Sequence, residues 1–150
     1  MSLKETLLKD QMESMRRGDR LKVSVLRLLR SAIEYEENAR NKDLDEAGIH
    51  EVISRQIRQR NESIEQFRKG NRPDLAAKEE AEAAILKAYL PPQLSREELA
   101  KMAQEVIAEV GATGLQDKGK VMGRLMPMVK GKAQGSDVNA VVTELLSKAL

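Results

Sequence analysis

Gly114-Leu-Gln-Asp-Lys-Gly119-Lys120-Val121 has the G-x-x-x-x-G-K spacing with which a glycine-rich loop wraps its backbone N–H groups around phosphates. Nucleotide chemistry would need two more features. A Ser or Thr must follow the lysine to reach magnesium, and Val121 stands there. A strand must precede the loop, and the pattern before it is helical. Nucleotide hydrolysis is therefore rejected. His50 is the single histidine, on an early turn of a helical stretch, and nothing in the pattern sets a serine beside it. One histidine and no cysteine argue against a zinc site. Glu34, Glu36 and Glu37 gather carboxylates, but on a helical stretch without the loop geometry that wraps a hard cation, so they read as a solvated face. No cofactor and no metal is expected.

The stretch from Gly119 to Val138, GKVMGRLMPMVKGKAQGSDV, offers a different chemistry. It holds four of the nine glycines, and its first acid is Asp137. From Lys118 to Lys132 there are five basic residues and no acid. Glycine inside a helix is less favourable than alanine by about 1 kcal/mol, so Gly119 and Gly123, four apart, need a reason. Either a neighbouring helix packs closely there, or a ligand backbone such as a phosphate–sugar strand approaches, with the cations beside it. The candidate contact residues are Lys118, Gly119, Lys120, Gly123, Arg124, Lys130, Gly131, Lys132 and Gly135. A second basic stretch, Arg16 to Arg30, has six basic residues against Asp19. Either stretch could equally be a solvated helix face. Met122, Met126 and Met128 read as core filler.

Positioning these residues falls to helices alone, since no alternating β-pattern occurs. Ser2 with Glu5 fits a capping box, opening a helix whose apolar stripe is Leu3, Leu7, Leu8, Met12 and Met15. Gly18 ends it and Asp19 caps the next, about Arg20 to Arg40, with Leu21, Val25, Leu28, Leu29, Ala32 and Ile33 inward. Asp45 caps a third, about Glu46 to Lys69, and Pro73 opens a fourth that runs to about Tyr89. Pro91-Pro92 forbids continuation. Ser95 with Glu98 then starts afresh, with Leu94 and Leu99 placed as a hydrophobic staple. That fifth helix ends at Gly111, and Thr113 with Gln116 again has capping-box spacing. The sixth spans about Asp117 to Val129, with Pro127 expected to kink or shorten it. The seventh is capped by Ser136 and carries Val138, Val141, Val142, Leu145 and Leu146. The predicted fold is all-α, a four-helix bundle over 1–90, a Pro-Pro linker at 91–94, and a three-helix bundle over 95–150.

Composition agrees with such a design. The 150 residues are 41% hydrophobic but only 2% aromatic, so the core must be aliphatic. No apolar run nears the roughly 20 residues that span a bilayer, and the N-terminus lacks a signal-peptide core. The absence of cysteine suits a reducing compartment, and a cytoplasmic protein is expected.

Together the residues G-K-V-M-G-x-L-M-P-x-V-K-G-K-A-x-G-x-x-V look like the signature of the GatB/YqeY family. Ser24-Val25-Leu26-Arg27 with Ser31-Ala32-Ile33, Arg60-Asn-Glu-Ser-Ile64 and Tyr89-Leu-Pro-Pro-Gln-Leu94 extend the likeness over the whole chain, closest to stand-alone members. The resemblance implies the four-plus-three helix architecture. It also implies kinship with the tail of the B subunit of the glutamine-dependent tRNA amidotransferase and with the N-terminus of some glutaminyl-tRNA synthetases, where the module helps hold tRNA. An association with carbon–nitrogen ligase activity, glutamine as amido donor, comes with that label. The chain has no amidase serine–lysine arrangement and no ATP-activating domain, so no intrinsic catalysis is expected. Two functions remain open: a tRNA-binding accessory module, or a protein-interaction module docking on a synthetase or amidotransferase subunit through an apolar groove between the bundles. The shortage of aromatics argues against base stacking and for recognition of RNA shape and backbone.

Overall fold

The computed structural model describes residues 1–148. In order these residues form α1 (Leu3–Arg17), α2 (Arg20–Arg40), α3 (Glu46–Lys69), α4 (Pro73–Lys87), α5 (Arg96–Val110), a 3-10 turn (Leu115–Asp117), α6 (Lys118–Val129) and α7 (Gly135–Lys148). Among the described residues there is no strand, as the all-α expectation requires. The chain divides into two compact units, Met1–Leu90 and Pro91–Leu150.

Local chemistry sets the helix ends. Ser2 Oγ accepts from the Glu5 N–H (3.2 Å) while the Ser2 N–H donates back to Glu5 Oε2 (3.4 Å). Asp19 and Asp45 accept from Lys22 N–H and Gly48 N–H at 3.1 and 2.8 Å. Gly18 and Gly111 close α1 and α5 in the left-handed conformation that glycine adopts without strain. Two expected caps differ. Ser136 lies inside α7, whose first turn bonds instead to the Gln134 carbonyl (Val138 N–H, 3.0 Å). Thr113 does not cap: its own N–H donates to Asp117 Oδ2 at 3.0 Å.

In the first unit the core is aliphatic: Leu7, Val25, Leu26, Leu29, Ile33, Ile49, Val52, Ile53, Ile57 and Leu86. Arg60 reaches across from α3 between Glu79 (3.1 Å) and Glu82 of α4. The Tyr89 hydroxyl donates to Asp10 Oδ2 at 2.6 Å, tying the end of α4 to α1. Burial, and then this carboxylate, push the phenol's pKa up.

The expected stripe on α1 is rotated. Leu7, Gln11 and Ser14 face inward, whereas Leu8, Met12 and Met15 are 42%, 51% and 54% exposed; Leu28 of α2, also expected inside, is 55% exposed. Small polar side chains fill the inner face because each finds a partner there. Ser14 Oγ donates to the Asp10 carbonyl (2.7 Å), and Gln11 Oε1 accepts from Arg30 (3.0 Å).

In the second unit α5, α6 and α7 share one core: Leu99, Ala103, Val106, Val121, Leu125, Val129, Val138, Val141, Val142 and Leu146. The segment before α5 belongs to this unit by hydrogen bonding. Leu94 N–H donates to the Lys132 carbonyl (2.8 Å), and the Gln93 side-chain amide donates to the Pro91 and Gly131 carbonyls (2.7 and 2.9 Å).

Candidate nucleic-acid interface

Val121, Leu125 and Val129 recur every fourth residue on α6 and are fully buried. That stripe turns Gly119, Lys120, Gly123, Arg124, Pro127 and Met128 outward. A Cβ added at Gly119 or Gly123 would meet no atom within 4 Å. Among the described residues the glycines therefore serve no close helix packing. Their backbone is the exposed surface. Met122 and Met126 do pack on the core, whereas Met128 is half exposed.

Pro127 lies inside this helix. It has no N–H to donate to the carbonyl of Gly123, four residues back, and its ring crowds that carbonyl. The helix continues through Pro127 to Val129, its expected end, so the proline does not cut it short. The first turn of α6 contains no acid and carries Lys118 and Lys120 at the positive end of the helix dipole, with the Asp117 carboxylate, which accepts from Thr113, at the N-cap just before it.

The turn after α6 is built by its backbone. Gly131 sits at φ +80°, open to glycine with least strain. Lys132 N–H returns to the Val129 carbonyl at 2.8 Å, and the carbonyls of Gly131 and Lys132 take the Gln93 and Leu94 donors. Lys130 and Lys132 extend from this turn as exposed side chains. With about 1.5 Å of rise per residue, they lie on the order of 15 Å from Lys120. The sequence-predicted residues thus fall in two groups, Gly119, Lys120, Gly123 and Arg124 on the helix face, and Lys130, Gly131 and Lys132 at its far end. Lys118 is half-buried at the helix start. Gly135 is also half-buried, and a Cβ added there would lie 3.9 Å from Met126 Cε.

One neighbour alters the charge. Glu109 of α5 lies 3.1 Å from Arg124, both well exposed, so the acid-free run in sequence has an acid beside it in space. No local pattern announces that pair, nor the bond from Gln93 to Gly131. Two of the three acids on α2 are paired. Glu36 pairs with Arg40 and Arg55, and Glu37 takes Lys4 at 2.7 Å and the Leu44 N–H at 2.8 Å, the Lys4 hydrogen bond chiefly holding its pKa low. His50 Nε2 lies 3.9 Å from Glu46. Among the described residues there is no cluster of metal-ligating side chains, and no helix is long and apolar enough to cross a membrane.

The sequence matches the family described as "Yqey-like protein" over residues 4–146. Among curated relatives, the protein named "Altered inheritance of mitochondria protein 41, mitochondrial" from Lachancea thermotolerans is 39% identical over 107 residues, 69% of this chain and 57% of its own length. Its namesake from Eremothecium gossypii is 36% identical over 110 residues, 71% of this chain and 60% of its own. The chain thus spans less than two thirds of these relatives. Their names overturn the expectation of a cytoplasmic protein, because the relatives are mitochondrial. The lack of cysteine behind that expectation limits redox chemistry and carries no cellular address.

Proposed function

The chain belongs to the Yqey-like protein family, and from that premise we propose a tRNA-binding accessory module that holds RNA by its backbone and does no chemistry of its own. The observation that carries the reading is the open backbone at Gly119 and Gly123, flanked by Lys120 and Arg124. Side chains are missing where a phosphate–sugar strand would lie closest, and cations stand where its charge would fall. Phosphate contacts of this kind supply affinity without reading sequence. Kinship with the amidotransferase tail supports a partner enzyme, a synthetase or an amidotransferase subunit, for the chemistry. For location the reading follows the relatives' mitochondrial names.

The test is filter binding of bulk tRNA across a salt series. Each phosphate neutralised should contribute roughly 0.7 to 0.9 to the log–log salt slope, so three or more contacts give a slope steeper than about −2. A flat slope, or equal affinity for single-stranded DNA of the same length, would sink the reading.

The module is proposed as two domains, a four-helix bundle over 1–90 and a three-helix bundle over 95–150, with 91–94 between them. Residues 91–150 expressed alone should melt cooperatively, although a chain of about 60 residues has a marginal core. Starting at 95 instead removes Leu94 from the core and deletes the donors to Gly131 and Lys132. Lost hydrogen bonds at roughly 1 kcal/mol each, with the lost leucine, should lower stability by about 2 to 3 kcal/mol in urea titrations. Equal stability of the two fragments would show that 91–94 is only a tether.

A further inference from the structure

Most arginines of the first unit have partners. Arg40 and Arg55 share Glu36, Arg60 and Arg68 bond to acids of α4, Arg72 pairs with Asp74, and Arg30 donates to Gln11. Arg16, Arg17, Arg20 and Arg27 have no ion-pair partner among the described residues, and neither has Arg58 on α3. The first four are gathered at one place, the end of α1 and the first two turns of α2. All four are exposed.

Two of them, Arg20 and Arg27, line a groove between α1 and α2 of about 690 Å³, and Arg16 and Arg17 lie in the last turn of α1 beside Met15, which also lines it. Met15, Val23 and Leu28 give it apolar walls, and Arg20 and Arg27 stand on its rim. Leu8 and Met12 continue the exposed apolar stripe along α1. The core makes no use of these side chains, since Leu7, Gln11 and Ser14 already form the inner face. Methionine at such a surface can reshape to an incoming side chain.

The geometry points to a docking site for an acidic amphipathic helix of a partner protein. The helix would lay leucine-like residues at i, i+4 and i+7 against Met12, Met15 and Leu28, and set carboxylates on its flanks against the four arginines. Charge complementarity selects this occupant. RNA would satisfy the arginines but has no aliphatic stripe to desolvate the methionines and Leu28. A second copy of the chain would bring the same unpaired arginines against themselves. An acidic helix uses both features.

The test uses the full chain and a fluorescein-labelled helical peptide of about 18 residues with leucines at i, i+4 and i+7 and glutamates beside them. Anisotropy should show saturable binding, and the same peptide with lysine for each glutamate should not bind. Arg20→Glu with Arg27→Glu should weaken the glutamate peptide at least about tenfold, as the loss of two charge-assisted contacts predicts. Met15→Ser with Leu28→Ser, which leaves every charge in place, should weaken it by a similar factor. Both pairs are exposed, so circular dichroism should be unchanged, and bulk tRNA affinity should be unchanged in both. No binding of the glutamate peptide overturns the proposal. So does full binding by the Met15→Ser, Leu28→Ser variant, which would reduce the contact to unspecific charge. Loss of tRNA affinity, with peptide affinity intact, in the arginine variant would assign the corner to RNA instead.

Discussion

Reversing Lys120, Arg124 and Lys132 together to glutamate is expected to weaken bulk tRNA binding on the order of 100-fold and to flatten its log–log salt slope by about 2 to 3 units, each phosphate contact contributing just under one. All three side chains are exposed and lie off the buried stripe of Val121, Leu125 and Val129, so helix content should not change. At Lys132 the fold uses the backbone, through the carbonyl that accepts from Leu94, and a new side chain leaves that bond in place. Arg124 is more complicated. Its pairing with Glu109 is exposed on both sides, and such pairs are worth between 0 and about 1 kcal/mol. The pair therefore competes weakly with a phosphate, and Glu109→Ala alone should tighten tRNA binding severalfold by releasing the guanidinium. Arg58→Glu is the proper control. Arg60 is not, because it is packed between Glu79 and Glu82 and its reversal would put three acids together at the α3–α4 contact. Unchanged filter binding after the triple reversal would remove α6 as the RNA face and move the protein-docking function ahead of it.

The helix ends were legible because they are made by residues three or four apart. Ser2 with Glu5, Asp19 with Lys22, Asp45 with Gly48, and the glycines at Gly18 and Gly111 all act within one turn. The inward faces were less legible. On α1 apolar side chains occupy two adjacent stripes, and periodicity counts them alike. The selection of Leu7, Gln11 and Ser14 depends on Arg30 being there to satisfy Gln11, a contact from another helix. The same limit applies to the candidate site. Gly119 and Gly123 read equally well as packing or approach positions until their surroundings in space are known. Glu109 beside Arg124, and Gln93 on Gly131, join segments distant in sequence. Gln93 also gives the Leu-Pro-Pro-Gln-Leu and Val-Lys-Gly-Lys-Ala segments a shared purpose, since one holds the turn of the other. Those two pieces of the family signature are thereby explained by structure. The glycines of α6 have no such contact among the described residues.

Replacing both of those glycines by alanine should make the protein more stable and a poorer RNA binder. Gly119 and Gly123 have helical backbone angles, and a methyl group at either meets nothing within 4 Å. Each substitution then removes the entropy that glycine loses on folding without adding a clash, for a gain of about 0.5 to 1 kcal/mol. In a unit of about 60 residues each kcal/mol raises the melting temperature by roughly 4 to 8 °C, so the pair should melt about 5 to 15 °C higher. Retaining two such glycines on an open helix face is costly unless something must come closer than a methyl group allows. If a phosphate–sugar strand is that object, the two methyls hold it off the helix and lengthen its distance to Lys120 and Arg124. Affinity for bulk tRNA should then fall by about tenfold, the scale of one charge-assisted hydrogen bond, while the protein gains stability. Gly123→Leu, with a larger obstacle at the same place, should lower affinity further and still fold. A higher melting temperature with unaltered tRNA binding would separate the glycines from RNA and leave the cations to act alone. A lower melting temperature would mean that the backbone at Gly119 and Gly123 is used by another part of the folded protein in solution, and the approach argument would fall with it.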